Sequence, residues 1–366
     1  MKLITFAVPC YNSQAYMDHC ISTLLACGGA EDIEIILVDD GSTDDTGHIA
    51  DAYREKYPDI VRVIHQENGG HGEGVNQGLR NASGLYYKVV DSDDWVDVAS
   101  VKRLLTVMHG HIRDGKQIDL YLCNYVYEHE EQGSRAMRYR STLPRNRIFG
   151  WSETKAFKPW QYLLMHTMVY RTALLRACNL ELPRHTFYVD NLFAYIPLAH
   201  VKTLYYIDTD LYRYYIGRAD QSVNEAVMIR RVDQQLLVTR LMIQAYKSDD
   251  LKRLDRKLAH CMFNYVTMMM TISTILLTLD GSDAALQKRV DIWRYLKAEN
   301  PDWYAPIRYG SVATFVNFPG EFGRRLSIGN YRLARRVYNL TRRAFLPKPS
   351  KSYWRRCDES NRRVFV

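Results

Sequence analysis

The chain has 366 residues, a formal net charge of +8, and 47% hydrophobic against 25% charged residues. Those proportions exclude a disordered or collagen-like chain and allow a sizeable core in one large domain or two smaller ones. Seven cysteines, at 10, 20, 27, 123, 178, 261 and 357, are odd in number and show no C-x-x-C or zinc-finger spacing, which speaks against a disulfide framework or structural zinc and for a reducing compartment.

Residues 1–8 lead straight into polar residues and lack a signal peptide's longer apolar core. Residues 3–8 read as a buried strand ended by Pro9, and 13–27 as a helix. A second strand at 34–38 runs into Asp39-Asp40-Gly41-Ser42, with Thr43 or Asp44 opening a helix to about Tyr57. A strand at 60–64, a helix at 72–82 and a strand at 85–90 follow, and the last delivers Asp91. This alternation predicts a βαβ architecture. Ligands in open α/β sheets bind outside the carboxyl ends of the strands, where Asn12, Asp39, Asp40, Asp91 and Asp93 fall.

From 120 to 220 the pattern is mixed, with short strands at 119–124 and 203–207. Trp151 and Trp160 read as core rather than as the floor of a sugar site, given the apolar area they bury. Helical stretches at 226–247, 250–279 and 283–299 place a boundary near 225, dividing the chain into 1–225 and a helical region 226–366. The uncharged run 261–279 is interrupted by Asn264, Thr267, Thr271, Ser273, Thr274 and Thr278, so it reads as a buried helix rather than a membrane span. Residues 324–366 hold 13 Lys/Arg and 2 Asp/Glu, which is more than the whole excess of positive charge. From Asn330, Leu333, Ala334, Val337, Tyr338, Leu340, Ala344 and Phe345 recur at helical spacing opposite a face of arginines. Such a basic amphipathic tail suits an anionic membrane surface; no nucleic-acid motif accompanies the charge, and no nucleic acid is expected.

The chemistry concentrates at Asp91-Ser92-Asp93. Carboxylates crowded at a strand end repel one another unless a cation or donors lie between them. Asp91 and Asp93, at alternate positions, point to one side in extended geometry, and Mg²⁺ or Mn²⁺ suits carboxylate and diphosphate oxygens. Asp94 or Asp93 is also placed to cap a helix from about Val98. The Asp40-Gly41 pair would equally satisfy a simple turn. The glycine-rich stretch 68–74 lacks the ending of a P-loop and is out of step with the dinucleotide fingerprint. It reads as a flexible stretch able to bring backbone N–H groups near a diphosphate, with His71 either a loop residue or a phosphate contact.

Val8-Pro9-Cys10-Tyr11-Asn12, Val38-Asp39-Asp40-Gly41-Ser42-Thr43-Asp44 and Val90-Asp91-Ser92-Asp93-Asp94 resemble, in this order, the successive signatures of family 2 glycosyltransferases. The segments 187–193 and 212–218 are similar to later ones, so the resemblance covers residues 1–225. It implies a GT-A-like, Rossmann-related mixed α/β sheet flanked by helices, with the helical region appended. It further implies inverting, metal-dependent transfer of a sugar from a nucleotide diphosphate donor, UDP-linked, to a hydroxyl of a glycan or lipid-linked acceptor. The donor site would comprise Pro9, Tyr11, Asn12, Asp39, Asp40, His71, Asp91, Ser92 and Arg218. Tyr11 would stack on the base, Asp39 would read its edge, and Arg218, with Gln221, would close over the diphosphate. Asp93 would ligate Mn²⁺ or Mg²⁺, with Asp91 reaching the ribose or the metal. Asp190 would be the general base, with Val189 standing where the family often has an acid and His185 a weaker rival. The Gln-x-x-Arg-Trp motif of processive relatives is absent, so the expectation is a non-processive, cytoplasmic enzyme peripheral to the inner face of the membrane. Two rivals stand beside it: a nucleotidyl or glycan-phosphate transferase using the same site, and a non-catalytic sugar- or membrane-binding subunit.

Overall fold

A computed structural model describes residues 2–129, 133–157, 162–216 and 225–344, with side chains as far as 337. Strands β1 (Ile4–Cys10), β2 (Ile33–Asp39), β3 (Val61–His65) and β4 (Tyr86–Val89) alternate with helices α1 (Met17–Leu25), α2 (Thr46–Lys56) and α3 (His71–Asn81). The strands pair in parallel in the order β3-β2-β1-β4. Every residue of β1 and β2 is buried, which is why both read as near-continuous apolar runs rather than as alternating ones.

The second half of the sheet follows through β5 (Trp95–Val96), α4 (Val98–Arg113), β6 (Leu120–His129), β7 (Gly133–Met137), β8 (Ile148–Phe149), β9 (Met168–Arg171), α5 (Thr172–Ala177), α6 (Asp190–Tyr195) and β10 (Leu204–Tyr215). Strand β9 lies antiparallel between β4 and β6, and β10 runs parallel to β6, so the sheet is mixed. Helices α7 (Glu225–Arg230), α8 (Val232–Ala245), α9 (Ser248–Lys252), α10 (Arg256–Asp280), α11 (Asp283–Glu299), α12 (Pro301–Gly310) and α13 (Gly320–Ala344) complete the described chain.

Several boundaries differ from expectation for identifiable reasons. Pro9 does not end β1, which pairs with β2 as far as Cys10. Its missing N–H points to the side where the ladder to β4 has already stopped, at Ala7 opposite Val89, so no hydrogen bond is lost. The helix after Asp91 is capped by Asp97, which accepts from the Ser100 amide at 2.9 Å, and not by Asp93 or Asp94. The stretch 226–247 breaks at Arg231 into α7 and α8, and 250–279 breaks before Asp255, whose side chain caps α10. The tail helix begins ten residues before Asn330, at Gly320.

Helix α10 is long and apolar enough to cross a membrane by length and composition, yet 67% of its most apolar window is buried inside the molecule. Two of the hydroxyls that interrupt it meet neighbouring helices: Ser273 Oγ lies 3.0 Å from Thr239 Oγ1, and Thr274 Oγ1 accepts from Trp293 Nε1 at 3.1 Å. Trp151 belongs to the core, donating through Nε1 to Val201 O. Trp160 lies outside the described residues.

Candidate active site

The loops after β1 and β2 hold each other. Asn12, at φ 49°, accepts the Thr43 amide on Oδ1 at 2.9 Å, and the Ser13 amide donates to Thr46 Oγ1 at 2.7 Å. This interlock leaves the Tyr11 ring 53% exposed while Pro9 stays buried. Asp39 is buried and accepts from the Ser42 amide at 3.1 Å and pairs with His65 Nδ1 at 2.9 Å. Burial opposes its charge, but the bonds from Ser42 and His65 outweigh it and hold the carboxyl below its usual range. Asp39 is therefore an anion at neutral pH.

Asp40 has a different task. Its Oδ1 accepts from Gln66 Nε2 and from the Gly69 amide at 2.7 Å, and its Oδ2 accepts from the Gly70 amide at 2.8 Å. The amides of the glycine stretch are thus spent on Asp40 rather than offered to a diphosphate. The glycines serve close packing: a Cβ at Gly70 (φ 83°) would lie 2.9 Å from His185 N, and one at Gly72 would lie 2.7 Å from Pro183 O. Asp40→Ala orphans one buried and one partly buried amide as well as removing their acceptor, so it should cost about 3 kcal/mol of stability. Urea denaturation measures this, and a loss below about 1 kcal/mol would show that the loop holds itself.

The clamped loop presents His71 to Asp91, with Nε2 to Oδ1 at 2.8 Å. Burial opposes charge on the ring, but Asp91, Asp190 and Asp93 outweigh it and raise the imidazole's pKa. Burial likewise opposes charge on Asp91, and His71, His166 and Lys88 outweigh it, so its carboxyl titrates below its usual range. Ser92 shares a 2.7 Å hydrogen bond with Ser13, tying this corner to the β1 loop. Asp93 is partly exposed. Asp94 is buried and accepts the Tyr212 hydroxyl at 2.6 Å and the Tyr215 amide at 2.8 Å. Burial, then Asp93 and Asp91, push its carboxyl well above the usual range.

Beneath these acids lies a layer that sequence reasoning missed. Lys88 is fully buried, donates to His166 O at 2.8 Å, and sits 4.9 Å from the centre of the Tyr212 ring. Burial lowers its pKa to about 8. The His166 ring stacks on Tyr212 at 4.6 Å, and its Nδ1 has no hydrogen-bond partner. Asp91, Asp94 and His166 bring ligand atoms within 4.8 Å of one another. A lysine in the middle of an otherwise apolar strand was the one available signal for this layer. His166, far away in sequence, gave none.

Asp190 opens α6 after a tight loop in which His185 (φ 48°) and Tyr188 (φ 67°) both adopt left-handed backbone. Such conformations persist only where the surroundings impose them. Here the His185 amide bonds to Gly69 O, the Phe187 amide to Gln234 Oε1 at 2.9 Å, and the Arg231 guanidinium lies 3.7 Å from the centre of the Phe187 ring. Asp190, His71 and Asp91 line one cavity of about 610 Å³, which His185 does not line. Burial, opposed by His71 and assisted by Asp91, raises the Asp190 carboxyl to about 6. The far wall is apolar and includes Met228, Met268, Met269 and Ile272 from the C-terminal helices, with Gln235 beside them. The helical region therefore closes the site, a role its sequence did not announce. Arg218 and Gln221 lie outside the described residues.

Residues 5–174 match the family model described as Glycosyl transferase family 2. The chain is 30% identical over 224 residues to "Putative glycosyltransferase EpsH" of Bacillus subtilis, an alignment covering 58% of this chain and 60% of that one. It thus spans about three-fifths of that relative's length. Among solved structures, residues 1–349 of Staphylococcus aureus TarS in complex with UDP-GlcNAc superpose with a TM-score of 0.61 at 20% identity, covering 93% of this chain and 92% of TarS. The mannosyltransferase PcManGT of Pyrobaculum calidifontis, solved with GDP-Man and Mn²⁺, gives 0.53 at 15% identity over 92% and 86% of the two chains. The shared architecture is GT-A-like.

Proposed function

From the match of residues 5–174 to the family 2 glycosyltransferase model, we propose that the chain transfers one sugar, with inversion, from a nucleotide diphosphate donor to a hydroxyl of a glycan or lipid-linked glycan. The observation that carries this reading is the shared cavity: a carboxylate raised to about 6, Asp190, faces the same space as the Asp91–His71 pair at the end of β4. The UDP-GlcNAc complex of TarS supports a UDP-linked donor, and the PcManGT complex supports a divalent cation.

In this mechanism the acceptor oxygen attacks the anomeric carbon, the bond to the diphosphate oxygen breaks, and the acceptor proton passes to Asp190. Tyr11 stacks on the base and Asp39 accepts from its edge. His71, its pKa raised beside Asp91, faces the diphosphate. The donor set fits a hard cation: crowded carboxylates with an orphaned imidazole nitrogen behind them. We assign the partly exposed Asp93 and Asp91 as its ligands; Asp94 is buried, with an oxygen on each of Tyr212 and Tyr215. When bound, the cation supplies positive charge to the leaving diphosphate. The apolar wall formed by Met228, Met268 and Ile272 suits the less polar face of an acceptor, and the inner face of the cell membrane is the proposed place of action.

The test is a screen of nucleotide sugars with Mn²⁺ and Mg²⁺ on the full chain, identifying the released nucleotide. Release of a nucleoside diphosphate is expected. Pyrophosphate or a nucleoside monophosphate would instead establish the nucleotidyl or glycan-phosphate transferase.

A further inference from the structure

A second cavity, of about 490 Å³, lies between α11, α12 and the start of α13. Its lining includes Arg289, Arg294, Lys297, Arg308, Arg324 and Asn317, and no Asp or Glu. Among the described residues, only Arg294 of these five cations has a carboxylate within ion-pair distance, Asp291 at 3.4 Å. Arg289 is buried and spends its guanidinium on Asn317 Oδ1, at 3.1 and 2.7 Å, and on Phe318 O at 3.0 Å. Burial, then Arg308 and Arg324, lower its pKa to about 10.

Two further observations point to an anion. Pro319 and Gly320 line the cavity at the N-terminus of the 25-residue helix α13, where free amides and the helix dipole favour negative charge. The Asn317 side chain is 5% exposed, and its orientation is fixed by Arg289 on Oδ1. Among the described residues its Nδ2 has no acceptor. Buried donors without partners are uncommon, and a phosphate, all acceptor, matches this all-donor cavity.

What lies beside the cavity selects the source of the phosphate. Phe322, Leu326 and Leu333 on α13 are 81%, 44% and 61% exposed. At 100° per residue they fall on one stripe, flanked by Arg325, Arg332 and Arg336. Gly323 and Ser327, on another face, are the ones buried against the protein. A soluble phosphate has no use for such a stripe, whereas a phospholipid surface presents phosphates directly above acyl chains. We infer that this cavity binds the headgroup phosphate of an anionic phospholipid while the α13 stripe enters the adjoining interface. The contact is independent of the sugar-transfer site.

Vesicle flotation of the full chain tests this, with phosphatidylglycerol mixed into phosphatidylcholine in one arm and phosphatidylcholine alone in the other. The mixed vesicles should bind the protein, and the Arg308→Gln/Arg324→Gln variant should lose about tenfold or more of that binding. Because Arg308 also stacks on Trp293, the exposed pair Arg294→Gln/Lys297→Gln serves as a second variant and should weaken binding in the same direction. Arg113→Gln/Lys116→Gln, with the same loss of charge at the end of α4, should leave binding unchanged, and Phe322→Ser/Leu326→Ser should reduce it. Equal binding to both vesicles, no binding to either, or indifference to both cavity pairs would overturn the proposal. So would full displacement by glycerol 3-phosphate with no effect of the stripe variant, which would make the ligand a soluble phosphate.

Discussion

Asp190→Asn is expected to lower sugar transfer by a factor of about 10² or more, the usual weight of a general base, while the proposed metal-dependent binding of the nucleotide should persist. The substitution keeps the shape of a side chain that lines the cavity and removes only its ability to take a proton. A pH profile of kcat/KM checks the same group. Burial and Asp91 raise its carboxyl to about 6, so below that pH it holds a proton and cannot accept another. Transfer should therefore fall about tenfold per pH unit on the acid side, from a limb near 6 rather than near 4. Stability moves the other way. A carboxyl that rises from 3.8 to about 6 on folding binds its proton more tightly in the native state. The resulting stabilisation is fully present below the unfolded value and is lost as pH rises through about 6. At neutral pH the buried anion then costs at most roughly 3 kcal/mol, and Asp190→Asn should be more stable than the parent there, with the difference vanishing near pH 4. Normal transfer by the variant would move the base elsewhere, with His185 next to examine.

Asp93→Ala is expected to cost about 10² or more in metal-stimulated transfer, at or beyond the upper end of what changes behind a metal's ligands produce. Chelation should silence the parent and leave the variant little to lose. Asp94→Asn is expected to cost only about tenfold. Burial, Asp93 and Asp91 keep Asp94 above the usual carboxylate range, and Asn can still accept the Tyr215 amide. Titrating Mn²⁺ against transfer in both variants separates the two sets of candidate ligands. If Asp94→Asn proves the more damaging, the ion sits among Asp91, Asp94 and His166, and a His166→Phe variant should then be equally impaired.

The order of the first four strands and the positions of the three N-terminal motifs, two of them acidic, are legible in the chain itself. Buried parallel strands demand unbroken apolar runs, and each run here ends in the residues that its loop presents: Tyr11 after β1, Asp39 at the end of β2, Asp91 after β4. Asp190 is legible for a similar reason, since a proline break followed by an apolar segment places it at a helix start. The division of labour among neighbouring acids is not legible. Asp39 and Asp40 are adjacent, yet one stays an anion beside His65 and the other is consumed by the amides of Gly69 and Gly70. Asp93 and Asp94 are adjacent as well, yet Asp94 is buried and taken by Tyr212 and Tyr215 while Asp93 stays partly exposed.

Local periodicity reports which face of an element is apolar, so the sequence alone determined β1 to β4, the helices between them and the strand ends that carry charge, but not β5, β7, β8 or β9. What a carboxylate does depends on which donors reach it, and those come from 20 to 118 residues away: His71 to Asp91, His65 to Asp39, Tyr212 to Asp94. The same holds for Lys88 beneath the acids and for the methionines of α7 and α10 across the cavity from Asp190. Only the tertiary structure decided these meetings, because hydrogen bonds and burial, unlike helical or strand period, leave no trace at fixed spacing.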